Sequence, residues 1–159
     1  MLRTLRKAQR GFTIIELLIV IAIIGILAGL VLNNFQGAQA KARDTQRRTD
    51  INNIHAKLEE FYNEKGGYPN ENLTTTLLPG IDASALTDAD NATIVNTFST
   101  GTEKPTPTPG GTNEYAYAAY GCAQATSTAG ALCTKYTLAA FIERPAQASD
   151  NPYRKDSLN

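Results

Sequence analysis

The chain has 159 residues, which is a typical length for one domain, and its 42% hydrophobic content excludes a disordered polyelectrolyte. The formal net charge is zero, so no overall basic excess points to nucleic acid. The charge is unevenly placed, however, because the first ten residues contain four basic residues and no acid. Without them, eleven basic residues face fifteen acidic ones, and the rest of the chain is acidic.

The first element predicted along the chain is an apolar run of 21 residues from Phe12 to Leu32, FTIIELLIVIAIIGILAGLVL. As a helix this run would span about 31 Å, which matches the hydrocarbon core of a bilayer. No polar side chain occurs from Leu17 to Leu32, whereas a helix that packs on a soluble core has a polar face. The run therefore predicts a transmembrane helix. A cleaved signal peptide and a plain single-pass anchor are the alternatives.

Glu16 distinguishes this run from both alternatives. It interrupts the apolar sequence, which is also longer than the core of a usual signal peptide, and a plain anchor gives the carboxylate no role. A carboxylate in a membrane helix is costly and usually has a partner or a function. No Lys or Arg lies between Phe12 and Leu32 to pair with it. Glu16 therefore either stays solvated at the level of the lipid headgroups or finds its partner on another chain.

The sequence from Arg10 to Val20, RGFTIIELLIV, resembles the processing site of type IV prepilins and pseudopilins. The shared features are a basic leader, Gly11 before the scissile bond, Phe12 after it, and Glu16 four residues beyond Phe12. The resemblance is strong over residues 1–32 and weaker through the following helix. Beyond Pro69 it rests on the general layout alone.

This resemblance implies that a membrane-embedded prepilin peptidase cuts between Gly11 and Phe12 and methylates the new amino group of Phe12. It also implies that the Glu16 carboxylate attracts the positively charged amino group of a neighbouring subunit. That charge pair would set the axial register, because an unpaired carboxylate in an apolar setting is expensive, while apolar packing supplies cohesion.

The partners that the resemblance implies are further copies of the chain in a helical filament, prepilin peptidase, the pilus assembly machinery of the inner membrane, and membrane lipid before assembly. The precursor is expected to be a single-pass protein of the cytoplasmic membrane with its head outside, and the mature form to lie in an extracellular pilus. Many relatives have a proline about 21 residues after the Phe that helps the helix loosen. Here that neighbourhood reads Leu32-Asn33-Asn34-Phe35, so only Gly25, Gly29 and Gly37 could weaken the helix.

The second predicted element continues this helix from Asn33 to Lys65, a stretch without proline and rich in good helix formers. One apolar stripe runs along it at helical spacing, formed by Ile51, Ile54, Leu58, Phe61 and Tyr62. His55, the only histidine, lies beside that stripe and is expected to be packed or at its rim rather than catalytic. Gly66-Gly67 followed by Tyr68-Pro69 predicts the end of the helix.

A basic group near the start of this second segment comprises Lys41, Arg43, Arg47 and Arg48. It could contact DNA or an acidic phospholipid. The simpler interpretation, which we favour, is a solvated or filament-packing surface, because basic runs are common and acids dilute this one.

The third predicted element is an exported head formed by residues 66–159. Asn70 to Asn113 is rich in small and polar residues and predicts loops with one or two short helices. Glu114–Tyr120 and Tyr136–Glu143 predict two strands of an antiparallel sheet that packs on the second half of the helix. The resulting fold class is α+β: a pilin fold with a long N-terminal helix and a small antiparallel sheet.

Cys122 and Cys133 lie eleven positions apart, between the two predicted strands. If the head is exported to an oxidising compartment, a bridge between them would stabilise it by about 2–3 kcal/mol; two free thiols are the alternative. The pilin resemblance favours the bridge, because that family often has a disulfide-bounded loop in its head.

No nucleophile–base pair, phosphate-binding loop or metal cluster is visible, so we expect neither an enzyme nor a cofactor. The predicted organisation is a cleaved leader (1–11), a transmembrane and filament-core helix (12–32), its amphipathic continuation (33–65) and the head (66–159). The predicted function is a structural pilin subunit of a type IV pilus that serves adhesion, motility or DNA uptake. The alternatives are a pseudopilin of a type II secretion or competence machine and a membrane-anchored ligand-binding module. A DNA or surface ligand stays open.

Overall fold

A computed structural model describes residues 12–89, 91–106, 115–147, 149 and 151–159, so the predicted leader lies outside the described residues. One long helix, α1 (Ile14–Lys65), precedes five strands: β1 (Tyr68–Pro69), β2 (Val95–Ser99), β3 (Tyr115–Cys122), β4 (Leu132–Ala140) and β5 (Tyr153–Asp156). A short 3₁₀ helix, Ala83–Leu86, lies between β1 and β2. The chain divides into two compact units, Met1–Gln39 and Ala40–Asn159.

The end of α1 follows from the two glycines that the sequence places there. Gly66 adopts a φ of 77°, which side chains with a Cβ disfavour, and its N–H donates to the carbonyl of Tyr62 at 2.8 Å. At Gly67 a Cβ would lie 2.9 Å from the Cβ of Leu132, so β1 can pair with β4 only because this residue has no side chain. The predicted helix stop is therefore confirmed, and its physical cause is a left-handed cap followed by a close strand contact.

The sheet has the order β1-β4-β3-β2, and β5 pairs with β4 next to β1. β4 is thus the central strand, antiparallel to β1, β3 and β5. The two strands predicted from sequence are both present, as β3 and β4, although β4 begins four residues earlier than predicted and ends before Ile142. Glu114, the predicted first strand residue, lies outside the described residues. The α+β class with a mainly antiparallel sheet is confirmed.

Three strands depart from the sequence expectation, and one of them is β1, which follows directly after the predicted helix stop. β2 falls in the segment that was expected to contain only loops and short helices, and it pairs with β3 in parallel. β5 is a four-residue strand at one edge of the sheet, with three charged residues in its sequence YRKD. The head therefore has a five-stranded mixed sheet.

The core of the head lies between α1 and one face of this sheet. Ile51, Ile54 and Leu58 are fully buried, and so are the facing Tyr117 and Tyr136 of the sheet. Phe61 and Tyr62, the last members of the predicted stripe, are only partly buried. His55 lies at the rim of this core, half-buried, as the sequence predicted.

Within the basic group, Arg47 is not part of the solvated or filament-packing surface that the sequence favoured, because it is completely buried, whereas Lys41 is exposed. The Nε and Nη2 of Arg47 donate to the two carboxylate oxygens of Asp88 at 2.8 and 3.1 Å, and its Nη1 donates to Glu143 at 2.7 Å and Asp44 at 3.3 Å. Burial disfavours the charged guanidinium, but these hydrogen bonds outweigh that cost and raise the pKa of Arg47. The guanidinium thus ties α1 to two distant loops.

Cys122 and Cys133 form a disulfide at a position where they face each other in the β3–β4 ladder. Both are at least 94% buried, with exposed fractions of 6% and 2%. The disulfide closes the connection between β3 and β4, so the head contains the disulfide-bounded loop that the resemblance implied.

Candidate functional site

The segment of α1 from Ile14 to Leu30 presents apolar side chains all round. The exposed fractions of its large apolar residues lie between 49% for Val20 and 82% for Ile14, and Phe12 just before it is 89% exposed. Its most apolar stretch has a mean hydropathy of 3.0 and is 0% buried within the chain. Among the described residues, α1 is the one helix long and apolar enough to cross a membrane, judged by length and composition.

The first turn of α1 is organised by Thr13 and Glu16. The backbone N–H and the hydroxyl of Thr13 both donate to Oε2 of Glu16, at 2.8 and 2.6 Å. In return the N–H of Glu16 lies 3.4 Å from the hydroxyl oxygen of Thr13. This reciprocal pattern is a capping box, in which the side chains satisfy backbone groups that have no partner inside the helix.

The capping box gives the Glu16 carboxylate hydrogen-bond donors but no opposite charge. Within the described part of the chain, Glu16 takes part in no ion pair, and both Thr13 donors use the same oxygen. A carboxylate at the start of a helix also interacts favourably with the helix dipole. Glu16 can therefore be held in one orientation within a single chain while its charge stays uncompensated.

The structure describes two of the three residues predicted for processing and assembly. Gly11 lies outside the described residues, whereas Phe12 and Glu16 are both exposed near the start of α1. Sequence reasoning missed Thr13, although the spacing Thr-x-x-Glu before an apolar run was a sufficient signal. In the described residues no group of three His, Cys, Asp or Glu side chains is arranged to hold a metal ion.

Comparison with known protein families gives one match. Residues 6–32 match the family described as the prokaryotic N-terminal methylation motif. These residues include Gly11, Phe12, Thr13 and Glu16, so the match covers both the predicted cut and the capping box. No solved structure has significant similarity to the chain.

Several known proteins are similar to part of the chain. It is 42% identical over 60 residues to the type IV major pilin protein PilA of Myxococcus xanthus, covering 38% of this chain and 27% of that protein. It is 34% identical over 96 residues to the fimbrial protein EcpC of Eikenella corrodens, covering 60% of each chain. It is 35% identical over 65 residues to the type II secretion system core protein G of Dickeya chrysanthemi, covering 41% of this chain and 42% of that protein. The matches thus span about a quarter to three fifths of these relatives.

An apolar N-terminal helix with a methylation motif, followed by an α+β head with a disulfide loop, defines the pilin-type class of subunit. The methylation motif and these relatives support a place in the type IV pilin and pseudopilin family, because the proteins that the chain matches are pilin, fimbrial and type II secretion core proteins.

Proposed function

We propose that the chain is the precursor of a type IV pilus subunit. Its leader, residues 1–11, is removed by prepilin peptidase, which cuts between Gly11 and Phe12 and methylates the new amino group of Phe12. The mature chain then leaves the cytoplasmic membrane by joining identical chains in a helical filament outside the cell. The observation that carries this proposal is the exposed apolar segment of α1 with a single carboxylate in its first turn.

The exposed apolar segment supports assembly because it finds no partner inside its own chain. Every large apolar residue described there is about half exposed or more, so packing against other copies can replace the contacts with lipid. Between helices in a membrane this packing is driven by close van der Waals contact rather than by the hydrophobic effect. The apolar segment therefore supplies cohesion but little information on axial register.

Glu16 supplies that register in the proposed mechanism. Thr13 fixes the carboxylate through Oε2, and no described residue donates a hydrogen bond to Oε1. The methylated amino group of Phe12 on a neighbouring chain is a cation that can approach this oxygen after cleavage. A register that brings the two charges together is favoured, since any other leaves both charges unpaired in apolar surroundings.

One long match, to a fimbrial protein, favours a pilus over the runner-up, a pseudopilin of a type II secretion system. The similarity to the fimbrial protein of Eikenella corrodens extends over 96 residues and 60% of this chain. The similarity to the secretion system core protein G of Dickeya chrysanthemi extends over 65 residues and 41% of it. The fimbrial match is thus long enough to extend beyond α1 into the head.

Mass spectrometry of the native N-terminus tests the processing step. We expect a mature chain that begins with a methylated Phe12, because the residues that match the methylation motif include this junction and the start of the helix is exposed. A chain with Met1 intact, or one cut beyond Leu32, would contradict the proposal. Antibody to the head then separates the two filament types. Long labelled fibres in the material sheared from cells support the pilus, whereas their absence from cells that secrete normally supports the pseudopilin.

A further inference from the structure

Four polar side chains form a connected cluster at the rim of the head core. His55 and Glu59 lie one turn apart on α1, and the hydroxyl of Tyr136 on β4 lies between them. It is 2.6 Å from Nδ1 of His55 and 2.9 Å from Oε1 of Glu59. The hydroxyl of Tyr68 also donates to Glu59, at 3.0 and 3.1 Å from its two oxygens.

The number of protons in this cluster fixes the state of the histidine. Tyr136 has one hydroxyl proton, which it donates to Glu59. Its oxygen must therefore act as the acceptor for His55, and a short contact at 2.6 Å requires a proton on Nδ1. Neutral His55 then has its Nδ1–H tautomer, and the second ring nitrogen is the site that takes up a further proton.

The last described segment of the chain closes over this cluster. Residues 157–159, which follow β5, contact two residues of the cluster, Glu59 on α1 and Tyr136 on β4. The N–H of Ser157 donates to the carbonyl of Tyr136 at 3.1 Å, and the N–H of Leu158 donates to Glu59 at 3.2 Å. The amide of Asn159 lies 3.4 Å from the other Glu59 oxygen. Glu59 therefore connects the helix to the edge of the sheet.

Charged groups from two elements act on His55. Burial lowers the pKa of His55, and Lys155 on β5 acts in the same direction. Glu59 on α1 and Asp156 on β5 act in the opposite direction, while Tyr136 on β4 is neutral at physiological pH because burial raises its pKa. The balance favours the neutral imidazole when the cluster is closed.

We propose that residues 153–159 form an acid-sensitive clasp, which protonation of His55 loosens from the helix. A cation at His55 is disfavoured by the partial burial of the ring and is repelled by Lys155. β5 is the element beside the cluster that can move, because it is an edge strand and its described strand pairing is with β4 alone. The helix and β4 are instead held by the buried core around Leu58 and Leu138.

The sign of the effect follows from linkage. The pKa of His55 in the closed state lies below its ordinary value of 6.5. The neutral form therefore stabilises the clasp fully above that value, and this stabilisation is lost as the pH falls towards the lower pKa. Mild acid is expected to open the clasp while leaving β3 paired.

Amide hydrogen exchange of the full chain in detergent micelles at pH 7.5 and 5.5 tests the clasp. After correction for the intrinsic rates, protection of residues 153–158 should be lower at pH 5.5 than at pH 7.5, because the pKa of His55 is lowered in the closed state, while protection of β3 stays constant. His55→Gln keeps a hydrogen-bond donor near Tyr136 but cannot ionise, so the fall should vanish. A fall that persists in this variant would overturn the proposal, because another group such as the buried Asp50 would then be responsible.

Two lysine variants test the electrostatic step. Lys155→Gln removes the cation that repels protonated His55 and should weaken the response, while the contribution of burial remains. The matched change Lys135→Gln alters an exposed lysine on β4 and should leave the response intact. Equal responses of the two variants would contradict the mechanism. If His55→Gln does not fold, the NMR titration of His55 in the native chain decides: its midpoint must coincide with that of clasp opening, and a mismatch rejects the proposal.

Discussion

At the scale of single residues, Arg47 shows how the head tolerates a fully buried cation. Its guanidinium meets both oxygens of Asp88 and one oxygen of Glu143, so its donors point at carboxylates. Asp44 does more than pair with it, because its oxygens also accept the backbone N–H groups of Glu143 and Arg144 at 2.8 and 2.9 Å. A buried ion pair contributes little net stability, but removing one partner is costly, since it leaves a charge unpaired.

This cluster makes part of the head's stability depend on pH. Hydrogen bonds from Arg43 and then Arg47 lower the pKa of Glu143 to about 2, although burial acts against them. The stabilisation is complete above the ordinary Glu pKa of about 4.5 and is lost as the pH falls through about 2. Between pH 5 and pH 2, Glu143→Gln should therefore lose less unfolding free energy than the native chain, by about 1–3 kcal/mol.

Denaturant unfolding at several pH values measures this difference. Glu64→Gln, which changes an exposed carboxylate of α1, is the matched control and should follow the native curve. Burial raises the pKa of Asp50, so the contribution of this carboxyl group to stability increases as the pH falls, opposite to that of Glu143. The comparison must for this reason be between variants rather than between pH values alone. Parallel curves for Glu143→Gln and the native chain would refute the assignment.

At the scale of elements, the β3–β4 pair is the part of the sheet with a covalent link. Cys122 and Cys133 face each other in the ladder, and the closed loop of about a dozen residues restricts the unfolded chain. Replacing both with Ala should lower the unfolding free energy by about 2–3 kcal/mol in denaturant titrations of the full chain. The native chain under reducing conditions should show a similar loss. A loss below about 0.5 kcal/mol, within the range of ordinary surface substitutions, would contradict this role.

The same elements show what the sequence could and could not predict. α1, its end at Gly66 and the two central strands were predictable, because periodicity, capping glycines and β-branched or aromatic residues are local signals. β2 was missed because it is short, partly polar and paired in parallel, and a long connection separates it from β3. β5 was missed because its sequence YRKD resembles a solvated turn. Both depend on tertiary pairing that overrides local preference.

The burial of Arg47 could not be predicted for a related reason. Its acidic partners Asp88 and Glu143 lie 41 and 96 positions away in the sequence. Only the short-range contact with Asp44, three residues earlier, was visible beforehand. At the proposed assembly site the reverse holds, because the Thr13–Glu16 capping box is local and its spacing was a sufficient sequence signal.

At the scale of the whole molecule, the proposed filament depends on the negative charge of Glu16. The capping box instead depends on a Glu16 oxygen that accepts hydrogen bonds from Thr13. Glu16→Gln keeps an oxygen that can accept from Thr13 but removes the charge. Thr13→Val keeps the carboxylate and removes the hydroxyl that donates to it at 2.6 Å. The two variants therefore separate pairing with a neighbour's amino group from the internal cap.

Each variant is co-expressed with the native chain, and its proportion in sheared filaments is compared by mass spectrometry with its proportion in the membrane. We expect Glu16→Gln to be depleted at least about tenfold in filaments, since about 1.4 kcal/mol of lost pairing has that effect and a buried unpaired amino group costs more. Thr13→Val should be incorporated within about threefold of the native ratio. A lost cap costs only about 1 kcal/mol, and it destabilises the helix in the membrane and in the filament alike, so most of the cost cancels. Equal depletion of the two variants would assign the role of Glu16 to helix capping, and undiminished incorporation of Glu16→Gln would remove the charge pair from the mechanism altogether.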